Sequence, residues 1–353
     1  FYLSQILLPL PGRFAFMRDI PISRSLLDPP TTLAALASIV LLVGIGILAA
    51  RRHKFLSLAI LFFFLNHLVE SSFIPLELKY EHRNYLPSMF LFLPPAVLIA
   101  RGIKRWRRSR RVLFSGLMAG TVLLLIMLGA ATHTRNSHWA SEKLFWEDVL
   151  VKAPGNARPY LQLAAYHEKQ GNFELALKLY ARSLDLYDPA PRRARAGAYN
   201  NMGTIFNRMH RREAAIAHFQ KALDVNPRHE IARYNLLLPL IVTGRLDEAR
   251  KHAEILIKQN PRHPYYLNSM GFILLRQGRL EGARRHLEEA LVVTPSAPDV
   301  LINLGIAMGR LGHFREGLAL LEHARRRAPA QPAAWLGLIE VQMRSGDVAA
   351  AYA

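Results

Sequence analysis

The sequence predicts an all-α protein in which polytopic transmembrane helices over residues 1–132 precede an α-solenoid of helix–turn–helix units over residues 133–353. Two observations carry this. Pro227, Pro261, Pro295 and Pro329 fall 34 residues apart, and Gly244, Gly278, Gly312 and Gly346 keep the same interval. A fixed period of that length marks units that can bury their apolar faces only against their neighbours. Upstream, four apolar stretches alternate with short links, two of them strongly basic, the pattern of a membrane domain.

The 353 residues exceed what one core usually organises. The net charge of +20 is spread evenly, with fifteen basic against five acidic residues in 1–132 and thirty-one against twenty-one in 133–353. Much of the N-terminal excess lies in short links between apolar segments, where basic residues hold topology, so nucleic acid is not the expected partner. The chain has no cysteine, which excludes disulfides, thiolate nucleophiles and Cys-ligated zinc.

The opening run from Phe1 to Leu10 is apolar and lacks a charged signal-peptide start. It reads as the end of a membrane helix, a stub preceding four spans, and with the solenoid stopping soon after Gly346 both ends read as boundaries within a larger protein. The spans are Leu33–Ala50, Phe55 to about Val69, Tyr85–Ala100 and Val112–Ala131. At about 1.5 Å per residue they reach across, or nearly across, a core roughly 30 Å thick. The link after the first holds Arg51, Arg52 and Lys54. The link after the third holds Arg101, Lys104, Arg105, Arg107, Arg108, Arg110 and Arg111. Those ten basic residues outnumber the five on the other side, Arg13, Arg18, Arg24, Lys79 and Arg83. The positive-inside rule therefore puts the two links in the cytoplasm, and the loop at 70–84 and the repeats in the periplasm or a lumen, the bacterial inner membrane being favoured.

Polar side chains at a membrane face are costly without partners. His67 and Glu70, spaced to share one helical face, fit interfacial hydrogen bonding, substrate contact or, lacking a third ligand, least well a metal. Glu81, His82, Arg83, Asn84 and Tyr85 combine a carboxylate, a proton carrier, a guanidinium suited to phosphate oxygens and an aromatic ring at headgroup depth. They suit either a lipid-phosphate or substrate site or an interfacial belt. No metal site and no catalytic residue is nominated.

The stretch Glu70-Ser-Ser-Phe-Ile-Pro-Leu-Glu77, then Glu81-His-Arg-Asn-Tyr-Leu-Pro-Ser-Met89, a basic link, one more span and a repeat array together resemble the transmembrane and tetratricopeptide-repeat O-mannosyltransferases and their bacterial relatives. These are GT-C-type enzymes that draw sugar from a polyprenyl-phosphate carrier on the outer membrane face. The family's Glu followed four residues later by Tyr-Leu-Pro-Ser-Met is matched by Glu81 and Tyr85–Met89, although the Arg that commonly follows that Glu is replaced by His82, with Arg83 next. The resemblance implies a polyprenyl-phosphate sugar as donor and no further cofactor. It also implies a catalytic acid in a first external loop. Only Asp19 and Asp28 precede the second span outside the membrane, so the catalytic half is expected beyond this chain. The competing expectations are a membrane-tethered scaffold without chemistry and an O-antigen-ligase-like or polymerase-like enzyme sharing the span-plus-repeat layout.

The 34-residue units begin near Ala157, Ala196, Glu230, Pro264, Pro298 and Pro332, and resemble tetratricopeptide repeats. The second has Met202-Gly203, Phe206, Ala215, Phe219, Ala222 and Pro227 at the small and large positions of that pattern. The five extra residues between the first two starts are expected as a loop over 188–195, with Arg192, Arg193 and Arg195 on one edge. Ser137–Lys152 reads as the second helix of a preceding unit, which leaves no flexible linker after the last span. At the sixth position of units two to five stand Asn201, Asn235, Ser269 and Asn303. Amides offer both donor and acceptor, so a ladder of them on a concave face can hold an extended acceptor or partner polypeptide by its backbone. This resembles the asparagine ladder of the cytosolic O-GlcNAc transferase superhelix. Water-facing helix-surface asparagines remain the alternative.

Overall fold

The structure, a computed structural model, describes residues 25, 27, 31–72, 89–108, 110–137, 139–186 and 192–347, with side chains left out at 67–72 and 135. The described residues form sixteen α-helices. They divide into two compact units, residues 1–166 and 167–353. That division falls within a helix, Ala157–Lys169, and not at the composition change near residue 132.

In the first unit the helices are α1 (Thr31–Ala49), α2 (Lys54–Ser72), α3 (Leu93–Trp106), α4 (Arg111–Ser137), α5 (Glu142–Lys152) and the start of α6 (Ala157–Lys169). Two of the four expected spans, α1 and α4, are long and apolar enough to cross a membrane. The apolar part of α2 is shorter, running Lys54–Asn66. The third stretch, expected at 85–100, is a 14-residue helix that starts at Leu93 with prolines in its first turn and runs on through Arg101, Lys104 and Arg105. Proline is tolerated at a helix start and not inside one, so Pro94 and Pro95 set that beginning. Around α4, Leu123, Leu124, Leu125, Ile126 and Met127 are all exposed, an apolar surface on every side. Helices α1 and α2 meet at Gly46, where a Cβ would lie 3.1 Å from Ile60 and Leu61 side-chain atoms. Ser141 caps α5 by accepting from the Leu144 N–H at 3.2 Å. The expected stub at 1–10 lies outside the described residues.

The second unit is a regular array: α7 (Phe173–Leu186), then pairs α8 (Arg192–Arg208) and α9 (Arg212–Val225), α10 (Glu230–Val242) and α11 (Leu246–Gln259), α12 (Pro264–Arg276) and α13 (Leu280–Val293), α14 (Pro298–Arg310) and α15 (Phe314–Arg327), and lastly α16 (Pro332–Ser345). The first helices α10, α12 and α14 each pack on their own second helix, on the preceding second helix, and on the first helices before and after them. The first helices thereby line one continuous inner face. The expected loop over 188–195 is corrected here: Arg192, Arg193 and Arg195 belong to α8, whose first turns extend four residues upstream of the unit start.

Tight helix contact explains the small residues. A Cβ at Gly203 would sit 2.7 Å from the Phe219 ring, one at Gly271 would sit 2.4 Å from Leu287 Cγ, and one at Gly305 would sit 2.7 Å from Leu321 Cγ. The unit beginning at Glu230 inverts the pair. Leu237 stands where the others have glycine, Ala253 where they have Phe or Leu, and both are buried. The volume is conserved while its source changes helix.

Each turn between paired helices closes with a left-handed residue, as at Gly244 (φ 78°) and Gly278 (φ 73°). There the following N–H reaches back five residues to close the helix, Arg245 N–H to Leu240 O at 2.9 Å. In the α8–α9 turn that residue is His210, at φ 59°. The left-handed region costs an L-residue about 1–2 kcal/mol. His210→Gly is therefore expected to raise the midpoint of thermal unfolding, by about 0.5–1 kcal/mol of stability after glycine's larger unfolded-state entropy is set against it. An unchanged or lower midpoint would show that the His210–Arg212 side-chain contact (3.2 Å) outweighs the backbone strain.

Candidate functional site

The first helices of the second unit enclose a groove of about 490 Å³, lined by side chains of α8, α10, α12, α14 and α16, with Phe219 of α9 at its floor. Three of the four sixth-position residues, Asn235, Ser269 and Asn303, line it. Its apolar walls include Tyr234, Phe272 and Ile302. Asn201 is not among the lining residues.

The amides are not simply solvated. Asn235 donates to Asn200 Oδ1 at 3.1 Å, and Asn303 donates to Asn268 Oδ1 at 2.9 Å, each linking neighbouring first helices. Asn200 in turn donates to Asn201 Oδ1 at 3.1 Å, and Asn201 donates to the Tyr180 hydroxyl at 3.0 Å. Tyr180, fully buried, donates to Glu168 Oε2 at 2.9 Å. The result is a one-directional relay from the groove wall to a carboxylate, Asn235 to Asn200 to Asn201 to Tyr180 to Glu168. Bonds aligned in one sense polarise one another. Burial, and then the Glu168 charge, push the Tyr180 hydroxyl well above the ordinary tyrosine range, which keeps it a donor. Ser269 departs from the ladder: its hydroxyl donates to Tyr265 O of its own helix at 2.8 Å.

Sequence reasoning found the sixth-position row but missed its partners. Asn200 and Asn268 stand one residue earlier, and Tyr180 comes from a second helix. The signal that could have found them is the Asn-Asn and Asn-Ser doublets at 200–201 and 268–269. The other sequence-nominated residues cannot be placed in a site. Glu81, His82, Arg83 and Tyr85 lie outside the described residues, as do the side chains of His67 and Glu70. Among the described residues no cluster of His, Cys, Asp or Glu has metal-binding geometry.

Beside the turn between α9 and α10 the array holds a buried cation. Arg233 donates to Pro227 O at 2.6 Å and contacts His252 Nδ1 at 3.1 Å. A guanidinium only donates, so Nδ1 must accept and the ring must be neutral there. Burial, then the Arg233 charge, lower the His252 pKa from 6.5, with Glu248 the opposing carboxylate. A histidine depressed in the folded state leaves stability complete above the unfolded value and removes it as pH falls below about 6.5. The thermal midpoint is expected to drop on acidification from pH 7.5 to 5.5, and less so in His252→Gln. Equal slopes in the two proteins would show that the ring does not titrate against Arg233.

Tetratricopeptide-repeat family profiles match residues 156–228, 208–271, 271–312 and 302–353. From residue 156 onward the chain is thus a tetratricopeptide-repeat protein. Among solved structures it is similar to a tetratricopeptide repeat protein from Parabacteroides merdae, with TM-score 0.51 and 16% identity over 56% of this chain and 76% of that one. That likeness shows the shared solenoid fold. It also matches YrrB, described as a tetratricopeptide protein with an unusual peptide-binding site, with TM-score 0.46 and 21% identity over 54% of this chain and 95% of that one. A third match is to pilF of Pseudomonas aeruginosa, with TM-score 0.48 and 20% identity over 62% and 95%. No curated protein matches the chain.

Proposed function

We propose that this is a membrane-anchored peptide-docking protein whose inner groove holds an extended polypeptide segment by its backbone. The observation that carries the reading is the row of amides along the groove, with Asn235 and Asn303 each retaining an oxygen and one N–H beyond the bond to the neighbouring helix. Such groups serve any sequence, since every peptide unit offers one donor and one acceptor. The spanning length of α1 and α4 supports anchoring, and the ten basic residues of the two links support a periplasmic or lumenal side for the repeats, a bacterial inner membrane being favoured. Filling the groove by Ser269→Trp should abolish binding of an end-blocked Ala/Ser/Gly peptide to the full chain in detergent. Undiminished binding would place the peptide elsewhere. A reporter active only outside the cytoplasm, fused after Gly346, should be active, and cytoplasmic activity would reverse the topology.

The sequence around Glu81–Met89 favours a second reading, in which the docked segment is an acceptor for a sugar carried on a polyprenyl phosphate. Arg83 then meets the carrier phosphate, with His67, Glu70, Glu81, His82 and Tyr85 around the lipid or substrate, and the catalytic acid lies outside this chain. In the full-length protein, Arg83→Ala should weaken carrier binding by about 1.5–3 kcal/mol, the range for a charge-assisted contact, and Arg83→Lys should recover part of it. Unchanged binding in both variants would leave the scaffold reading.

A further inference from the structure

The groove's charge does not match that of the chain. The protein carries +20 overall, yet among the described residues lining the groove there is no Lys, Arg or His and one acid, Asp299. We propose that the groove selects a segment bearing a lysine or arginine side chain, which seats its cationic head on Asp299 and its methylene stem on Tyr234 and Phe272. This rests on the peptide-docking reading and names the class of segment docked.

Three features support it. First, two lining hydroxyls spend their hydrogens on their own helix backbones, Thr204 to Asn200 O at 3.1 Å and Ser269 to Tyr265 O at 2.8 Å, which leaves Thr204 presenting an acceptor oxygen. Second, Gln331 donates to Asp299 Oδ1 at 2.6 Å, which holds the carboxylate in place while its other oxygen stays available. A fixed carboxylate loses little freedom when a cation arrives. Third, Tyr234 and Phe272 supply the aromatic faces that favour a cation and cover its apolar stem. At the other end of the groove Arg212 donates to the backbone and side chain of Asn207. That places a guanidinium beside the α8 rim, so the cationic residue is directed to the α14 end and an anionic one gains nothing there.

The test is a titration of the full chain in detergent with three end-blocked Ala/Ser/Gly peptides that differ only at a central Lys, norleucine or Glu. The Lys peptide should bind at least about tenfold more tightly than the norleucine peptide, a factor equal to about 1.4 kcal/mol, and the Glu peptide most weakly. Asp299→Asn should erase the Lys advantage over norleucine, and Asp299→Glu should keep most of it. Circular dichroism on each variant controls for folding. Equal Lys and norleucine affinities, or a Lys advantage that persists in Asp299→Asn, would overturn the charge selection while leaving peptide docking standing if Ser269→Trp still abolishes binding. Failure of all three peptides to bind would overturn both.

Discussion

Exchanging the large and small residues of the α12–α13 contact should separate volume from position with the largest effect on stability. Leu287→Ala removes a fully buried side chain and is expected to cost about 2–5 kcal/mol. Gly271→Leu forces a side chain into a site where even a Cβ lies 2.4 Å from Leu287 Cγ. It should cost at least about 1–3 kcal/mol, despite leucine's better helix propensity. The double variant Gly271→Leu/Leu287→Ala rebuilds the arrangement already present as Leu237 and Ala253 in the preceding unit. It should be far more stable than the sum of the single effects implies, with a coupling of 1 kcal/mol or more, about the scale of contacting core pairs. Denaturant unfolding of the four proteins measures this. Additive losses would mean that the unit beginning at Glu230 owes its packing to something other than the exchange of volume.

The second large effect concerns the amide row. Replacing Asn201, Asn235 and Asn303 together by Ala deletes bonds to Tyr180, Asn200 and Asn268. At a net 0.5–1.5 kcal/mol per bond, the loss should reach roughly 2–4 kcal/mol, because alanine's better helix propensity offsets only part of it. Peptide affinity should fall by similar factors across unrelated sequences, since backbone contacts carry little sequence information. Unchanged stability would show that the row is solvated and the relay contributes nothing to the array.

These two experiments also mark what could be read from the chain alone. The 34-residue spacing of Pro227, Pro261, Pro295 and Pro329 gave the solenoid, and the starts at Glu230, Pro264, Pro298 and Pro332 coincide with observed helix starts. A period is a local property repeated, so sequence reports it directly. Side-chain pairing is not: Asn235 meets Asn200, 35 positions away, and Asn201 meets Tyr180 on another helix, which makes the row partly structural. The α8 extension was hidden for a related reason. Asp188-Pro-Ala-Pro191 is a strong loop signal, but a proline just before a helix also favours its first turn, and Arg192, Arg193 and Arg195 continue as helix. In the first unit, hydropathy located α1 and α4 but ended the third stretch at Ala100, whereas the helix Leu93–Trp106 runs on through Arg101, Lys104 and Arg105. Asp299 went unnoticed because a carboxylate in a first turn is an ordinary helix-start residue, and only the lack of Lys, Arg and His among the groove-lining residues sets it apart.

The central claim, that an extended polypeptide lies in the inner groove, is tested most directly by photo-crosslinking. A benzophenone amino acid would replace Phe272, which lines the groove, or Val292, which is 81% exposed on α13 and outside it. With the full chain in detergent and an end-blocked Ala/Ser/Gly/Lys peptide, the account predicts crosslinks from position 272 that excess unlabelled peptide suppresses, and none from position 292. Crosslinking from 292 with none from 272, in protein that retains its helical spectrum, would contradict it.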